Sequence, residues 1–158
     1  MVFSVVLAVL ALAACVLAFP ERRSRPIRRW RVAAVPLLIA AATLILLYLP
    51  PSNDLREPQV WLTGVVAAVL GLARGGLIGL RVDQGWGGVL LRRAPEGFWI
   101  AVLSAVLILA DILGEPVGKV GSSFVKSVEL ALMALSSFLI GRNAVLATRS
   151  RDAPHHDL

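Results

Sequence analysis

The sequence is poor in the side chains from which most metal and redox sites are built. Among its 158 residues are one cysteine, Cys15, and two histidines, His155 and His156, which stand side by side near the C-terminus. A single cysteine excludes a disulfide or a cysteine-ligated metal cluster within the chain. Because no histidine lies in an apolar run, a haem held by two histidines inside a membrane is also excluded. We therefore expect no metal and no cofactor.

Recognisable catalytic motifs are missing as well. The sequence contains no HExxH, no phosphate-binding P-loop and no dinucleotide fingerprint. No serine and histidine are placed as a promising nucleophile and base. We expect that the protein is not an enzyme.

Charge is scarce and unevenly distributed. Charged residues make up 16% of the chain and hydrophobic residues 58%, whereas soluble domains average about 25% charged residues. The charges are bunched between long apolar runs, and roughly 20 apolar residues suffice to cross a bilayer core of about 30 Å. The net charge of +6 lies mostly in short loops, so it indicates contact with a membrane rather than with nucleic acid. The chain is predicted to be an integral membrane protein.

The apolar runs predict an all-α bundle of five transmembrane helices in a single domain, residues 1–141. The predicted spans are residues 2–19, 32–49, 60–80, 98–114 and 123–141. Residues 142–158 are predicted to form a polar cytoplasmic tail.

The distribution of basic residues predicts the orientation of the bundle. Twelve lysines and arginines fall in the first loop, the third loop and the tail, against two in the second and fourth loops. Because basic loops stay in the cytoplasm, the N-terminus should be outside and the C-terminus cytoplasmic. The motif "LAAC" before and at Cys15 has the form of a lipoprotein signal, but no basic residue precedes it. An uncleaved first span is therefore preferred to processing at Cys15.

The third loop, "LRVDQGWGGVLLRR", carries glycines between two short apolar stretches. This pattern favours a small cytoplasmic β-hairpin between spans three and four, with an ordinary interfacial loop as the alternative.

A row of small residues, Ala67, Gly71, Gly75 and Gly79, recurs every four positions in the third span. Such a stripe lets two membrane helices approach closely, so that van der Waals packing can hold them together. We expect the partner helix to belong to the same chain, with a second protein as the alternative. In the second case, bulky residues at Gly71 or Gly75 would abolish partner binding.

Four charged side chains fall inside the predicted spans: Arg74, Asp111, Lys126 and Glu129. Arg74 either contacts an anion, a headgroup or a partner carboxylate, or extends to the cytoplasmic surface and fixes helix depth. Asp111 and Lys126 should lie at similar depth and could form an ion pair that locks spans four and five. A proton or cation path through Asp111 and Glu129 is the functional alternative.

The segment "GLARGG", the following "LRVDQGWGGVLLRR" and the tryptophan in "FWIAVLS" resemble the CcdC-like group of small bacterial membrane proteins. The resemblance covers about Arg74 to Trp99 and the overall span pattern, and the arginine–glycine pair of that group would fall on Arg74 and Gly75. It implies about five spans, a bacterial inner (plasma) membrane, an association with cytochrome c biogenesis and no assigned chemistry. The fourth span departs from the pattern, because "ILADIL" carries the acidic Asp111.

Together these features predict a non-catalytic accessory or assembly protein that packs against a larger membrane complex. The alternative is a small oligomeric transporter or channel whose path is lined by charges of spans four and five. The expected partners are the lipid bilayer and either another membrane protein or further copies of this chain, with no nucleic acid.

Overall fold

The computed structural model of the chain describes residues 2–22, 27–48, 57–82, 88–92, 95–114 and 122–152. Five helices are present in this part of the chain: α1 (Val2–Arg22), α2 (Arg29–Tyr48), α3 (Pro58–Leu77), α4 (Glu96–Gly114) and α5 (Ser122–Asp152). Three short strands accompany them: β1 (Ile27–Arg28), β2 (Gly79–Val82) and β3 (Gly88–Arg92).

The prediction of five helices is confirmed. Four stretches of the described helices are long and apolar enough to cross a membrane: Ser4–Glu21, Trp30–Tyr48, Pro58–Leu77 and Phe124–Ser150. These stretches belong to α1, α2, α3 and α5, and the crossing of a membrane stays a prediction for all five helices.

Two helix ends differ from the predicted spans. Helix α3 ends at Leu77, after which Ile78 adopts extended angles (φ −73°, ψ 128°). Helix α5 continues through Asp152, so the first part of the predicted polar tail is helical. The prediction that the tail begins at residue 142 was wrong, because buried contacts to other helices hold this part of α5. Residues 153–158 lie outside the described residues.

The helices alternate in direction, as contacts near their ends show. Glu21 in the last turn of α1 contacts Arg142 of α5. Glu96 at the start of α4 contacts Arg74 in the last turn of α3. Helices α1 and α3 therefore end where α4 begins, and we call this the arginine-rich end of the bundle.

Contacts at the opposite end agree with this arrangement. Lys126, in the first turns of α5, donates a hydrogen bond of 2.5 Å to Glu57, the residue that precedes α3. Helices α3 and α5 therefore start together and run parallel. The chain returns between them through α4.

The core mixes alanines with larger aliphatic side chains. One cluster contains Ala11, Ala42 and Ala105 among larger residues, and a second contains Ala14, Ala18 and Ala101. Alanine allows the helix backbones to approach closely, which is how membrane helices gain packing energy without a hydrophobic driving force.

A small antiparallel sheet lies at the arginine-rich end. Strands β2 and β3 pair from Gly79 opposite Arg92 to Val82 opposite Val89, and β1 adds on the other side of β3. Residues 83–87, which would form the turn of the predicted hairpin, lie outside the described residues.

Candidate functional site

A fully buried ion pair joins α1 to α5 near the arginine-rich end. The side chains of Arg142 and Glu21 are 0% and 4% exposed, and Arg142 Nη2 donates to Glu21 Oε2 at 3.4 Å. Burying a charge is costly unless it is paired and hydrogen-bonded. The arginine meets this condition with a second bond, because its Nη1 donates to Asn143 Oδ1 at 2.9 Å.

Asn143 extends this network to α2. Its Nδ2 donates to the carbonyl oxygen of Val32 at 2.8 Å, in a buried position. Pro36 lies four residues further along α2, and proline has no N–H with which to bond the carbonyl of the residue four before it. Asn143 therefore satisfies an acceptor that the proline leaves open inside the bundle.

Helix α4 reaches this site through a glycine. A Cβ built on Gly97 would lie 2.8 Å from Glu21 Cδ and 2.9 Å from Arg142 Nη1, closer than side chains tolerate. Next to it, the buried Phe98 meets Phe19 of α1 edge-to-face, with ring centroids 5.9 Å apart. Four helices thus converge on one point, which we call the buried polar cluster: Glu21, the Val32 carbonyl, Gly97, Arg142 and Asn143.

Arg74 lies beside this cluster and pairs with a carboxylate of its own chain. It donates to Glu96, whose neighbour is Gly97. The two side chains are 41% and 30% exposed, so this pair is far less buried than the one between Glu21 and Arg142. Arg74 was expected to contact an anion, a headgroup or a partner carboxylate, and here it contacts a carboxylate of its own chain.

A second arginine of α5 caps the end of α3. Nη1 of Arg149 donates to the carbonyl oxygens of Gly75, Gly76 and Ile78, each at 2.9 Å. The last carbonyls of a helix lack helical donors, and a cation there also interacts favourably with the helix dipole. Arg149 therefore fixes the point at which α3 gives way to β2.

The predicted stripe of small residues packs within the chain. Ala67, Gly71 and Gly75 are buried, and Gly64 lies on the same face. A Cβ on Gly71 would lie 2.9 Å from the carbonyl carbon of Phe138, and one on Gly75 would lie 2.5 Å from the carbonyl oxygen of Arg142.

The contact is reciprocal on α5. A Cβ on Gly141 would lie 3.0 Å from the carbonyl carbon of Ala68 and 3.1 Å from Leu72 N. The inclusion of Gly79 was wrong, because α3 ends at Leu77 and Gly79 begins β2.

The three remaining predicted charges occupy different environments. Lys126 is 48% exposed on its side chain and pairs with Glu57, so it ties α5 to α3. Glu129 is 2% exposed and faces the interior, whereas Asp111 is half-buried on α4. Lys126 therefore does not share the buried face on which Glu129 lies.

Glu129 belongs to a heptad pattern on α5. This pattern continues beyond residue 141, where the fifth span was predicted to end. The buried face of α5 repeats every seven residues, with the polar Glu129, Ser136, Asn143 and Ser150 alternating with Leu132, Leu139 and Leu146. Heptad spacing keeps one seam of a helix against its neighbours. The signal was visible in the sequence, but it crosses the boundary placed at residue 141.

The contacts of these residues hold the helices together and fix their relative positions. The cations described above contact carboxylates or carbonyls of the same chain. Within the described ranges, no group of three or more histidine, cysteine, aspartate or glutamate side chains is placed to hold a metal ion. Glu21, Gly97, Arg142 and Asn143 were not predicted from the sequence as members of a site, although Arg142 and Asn143 directly follow an apolar run.

No protein-family model, curated protein or solved structure matches this chain. The resemblance to the CcdC-like group therefore stays a prediction.

Proposed function

We propose that this protein is a non-catalytic accessory or assembly subunit that packs against a larger complex in a bacterial inner membrane. The observation that carries the proposal is the position of α3 at the edge of the bundle. Within the described residues, its extensive helix–helix contact is with α5 alone. The face that points away from α5 is apolar and exposed, including Leu62, Val65 and Val69 at 67%, 60% and 57%.

The small residues of α3 pack against α5 of the same chain, which supports the same interpretation. Because Gly71 and Gly75 are occupied by α5, a partner would contact the opposite face of α3. That face offers branched aliphatic side chains, which pack well in lipid and against another protein. Leucine substitution at Gly75 would therefore disturb the fold before it disturbed a complex.

In the proposed topology all five helices cross the membrane and the arginine-rich end faces the cytoplasm. The alternating helix directions and the concentration of arginines at one end support it. Cysteines introduced in a Cys15→Ser background test the orientation with a membrane-impermeant thiol reagent. Lys126→Cys should be labelled in intact cells, and Arg28→Cys only after permeabilisation. The reverse labelling order would overturn the proposed orientation.

Site-specific photo-crosslinking in the native membrane tests the accessory function. A photoreactive side chain at Leu62, Val65 or Val69 should form the same discrete protein adduct from each position. Matched positions on the exposed face of α1, Val9 and Val16, which are 58% and 71% exposed, should crosslink only to lipid. Mass spectrometry of the α3 adduct would then identify the complex.

The buried polar face of α5 favours a second candidate, the small transporter or channel. Glu129 is a buried ionisable group inside a predicted span, and such groups often mark proton or ion pathways. In this case α3 should crosslink only to a second copy of the chain. Glu129→Gln should then abolish flux in reconstituted vesicles while the protein still folds.

A further inference from the structure

A cleft opens at the arginine-rich end between the start of α2, the end of α5 and β3. Its volume is about 280 Å³. Its walls are mostly apolar, formed by Trp30, Val32, Ala33, Val89, Leu146 and Ala147, with Ser150 as the polar member. The floor is firm, because Val32, Val89 and Leu146 belong to one buried cluster with Ile78.

Positive charge lies at the rim of this cleft. The guanidinium carbon of Arg31 sits 5.4 Å from the centre of the Trp30 ring, in a cation–π contact. Arg28 is exposed and lies in β1 opposite Gly88, the neighbour of the cleft residue Val89. The first turn of α2 adds free backbone N–H groups and the positive end of its helix dipole.

Arg31 also carries a donor that no described residue accepts. Its Nε is shielded from solvent and has no hydrogen-bond partner within the described residues. Buried donors in folded proteins are nearly always bonded. An arginine placed beside an apolar wall and a helix N-terminus, with a donor left over, suits a phosphate oxygen.

We propose that this cleft binds one anionic phospholipid, with its phosphate at Arg31 and the start of α2 and an acyl chain along the apolar walls. Trp30, which is 53% exposed, marks the depth of the headgroups, where tryptophan is enriched. The cytoplasmic leaflet supplies anionic lipids, and basic clefts between helices on that side bind their headgroups. The site rests on the proposed orientation of the bundle in a membrane, but it is independent of an accessory role.

Quenching of Trp30 fluorescence by brominated lipid tests the proposal. The full-length protein with Trp61, Trp86 and Trp99 replaced by phenylalanine is reconstituted into phosphatidylcholine nanodiscs. A small fraction of either brominated phosphatidylglycerol or brominated phosphatidylcholine is then added. The anionic lipid should quench Trp30 more strongly at equal mole fraction.

Two variants distinguish binding at a specific site from general attraction between a basic protein and an anionic lipid. Arg31→Gln should weaken the phosphatidylglycerol preference by about tenfold, as expected for loss of one hydrogen bond to a charged group. Arg22→Gln removes the same charge at the end of α1 and should keep the preference. Equal quenching by both lipids, or equal loss in the two variants, would overturn the proposal.

Two further experiments identify the ligand and distinguish loss of the site from loss of the fold. Ala147→Phe should fill the cleft and remove the preference, while its unfolding temperature shows whether the bundle is intact. If that variant does not fold, Arg31→Gln compared with Arg22→Gln decides. Displacement of the lipid by inorganic phosphate at moderate concentration would assign the site to a free anion and refute lipid binding.

Discussion

The side-chain amide of Asn143 donates a hydrogen bond of 2.8 Å to the carbonyl oxygen of Val32, which lies on a different helix. The carbonyl is available because Pro36 cannot supply the usual helical donor. Both residues are buried, so water does not readily replace that bond. The proline in α2 and the asparagine in α5 are therefore complementary: the proline leaves a carbonyl without its helical donor, and the asparagine supplies one.

We expect Asn143→Leu to destabilise the bundle by about 1–3 kcal/mol, the usual cost of leaving a buried polar group without its partner. Pro36→Ala restores an N–H opposite the Val32 carbonyl, so the same change should cost less in that background. Unfolding in mixed micelles, followed by circular dichroism, measures the double-mutant cycle. Additive effects of the two substitutions would show that the proline and the asparagine are not coupled.

Removal of either charge from the buried ion pair should be expensive. Arg142→Met leaves Glu21 charged and buried, which typically costs about 3–5 kcal/mol. The double variant Glu21→Leu with Arg142→Met should recover most of this loss, because it removes both charges. The exposed pair serves as the control, since Lys126→Met should cost less than about 1 kcal/mol. The same unfolding assay applies, and a double variant no better than Arg142→Met would contradict the pairing.

The effect on stability of replacing a glycine of α3 by alanine should depend on the face of the helix on which the glycine lies. Gly71→Ala places a methyl group against the backbone of α5 and should destabilise by about 1–3 kcal/mol, the range for overpacking. A Cβ on Gly76 would have open space around it, with no atom of another described element within 4 Å, so Gly76→Ala should change stability by less than about 1 kcal/mol. Thermal unfolding of the two single variants checks this contrast. Equal destabilisation would mean that helix propensity, and not packing against α5, governs this segment.

Arg149 should act locally, at the end of α3. Arg149→Gln removes the charge and the Nη1 donor and should cost about 0.3–2 kcal/mol. Arg149→Lys keeps the charge, but on a compact and more strongly hydrated group of different reach, so its effect should be intermediate. Hydrogen exchange by mass spectrometry should show faster exchange around Ile78 and β2 and little change in α1. Uniform acceleration throughout the chain would instead indicate a global role.

Part of the candidate site was predictable from the sequence. Arg74 was expected to meet an anion, a headgroup or a partner carboxylate, and it meets a carboxylate of its own chain, that of Glu96. Gly71 and Gly75 were expected to face another helix, and they face α5. Both expectations relied on local rules, namely the cost of a charge in a span and the helical spacing of small residues.

The central pair could not be predicted in the same way. Glu21 and Arg142 are separated by 121 positions, and each stands at the end of an apolar run, where a charged residue usually meets water. Sequence spacing assigns a side chain to a face of its own helix, but it does not say which other helix covers that face. Lys126 shows the same limit, because its contact with Glu57 depends on α3 lying beside α5.

The sequence by itself determined the number of helices and their approximate limits. A helix in lipid satisfies its own backbone, so length and apolar composition suffice to predict it. The tertiary structure decided which faces meet, how far α5 extends and which charges are buried. These depend on packing between segments distant in the chain, where a single methyl group or a missing N–H determines which helices can come together.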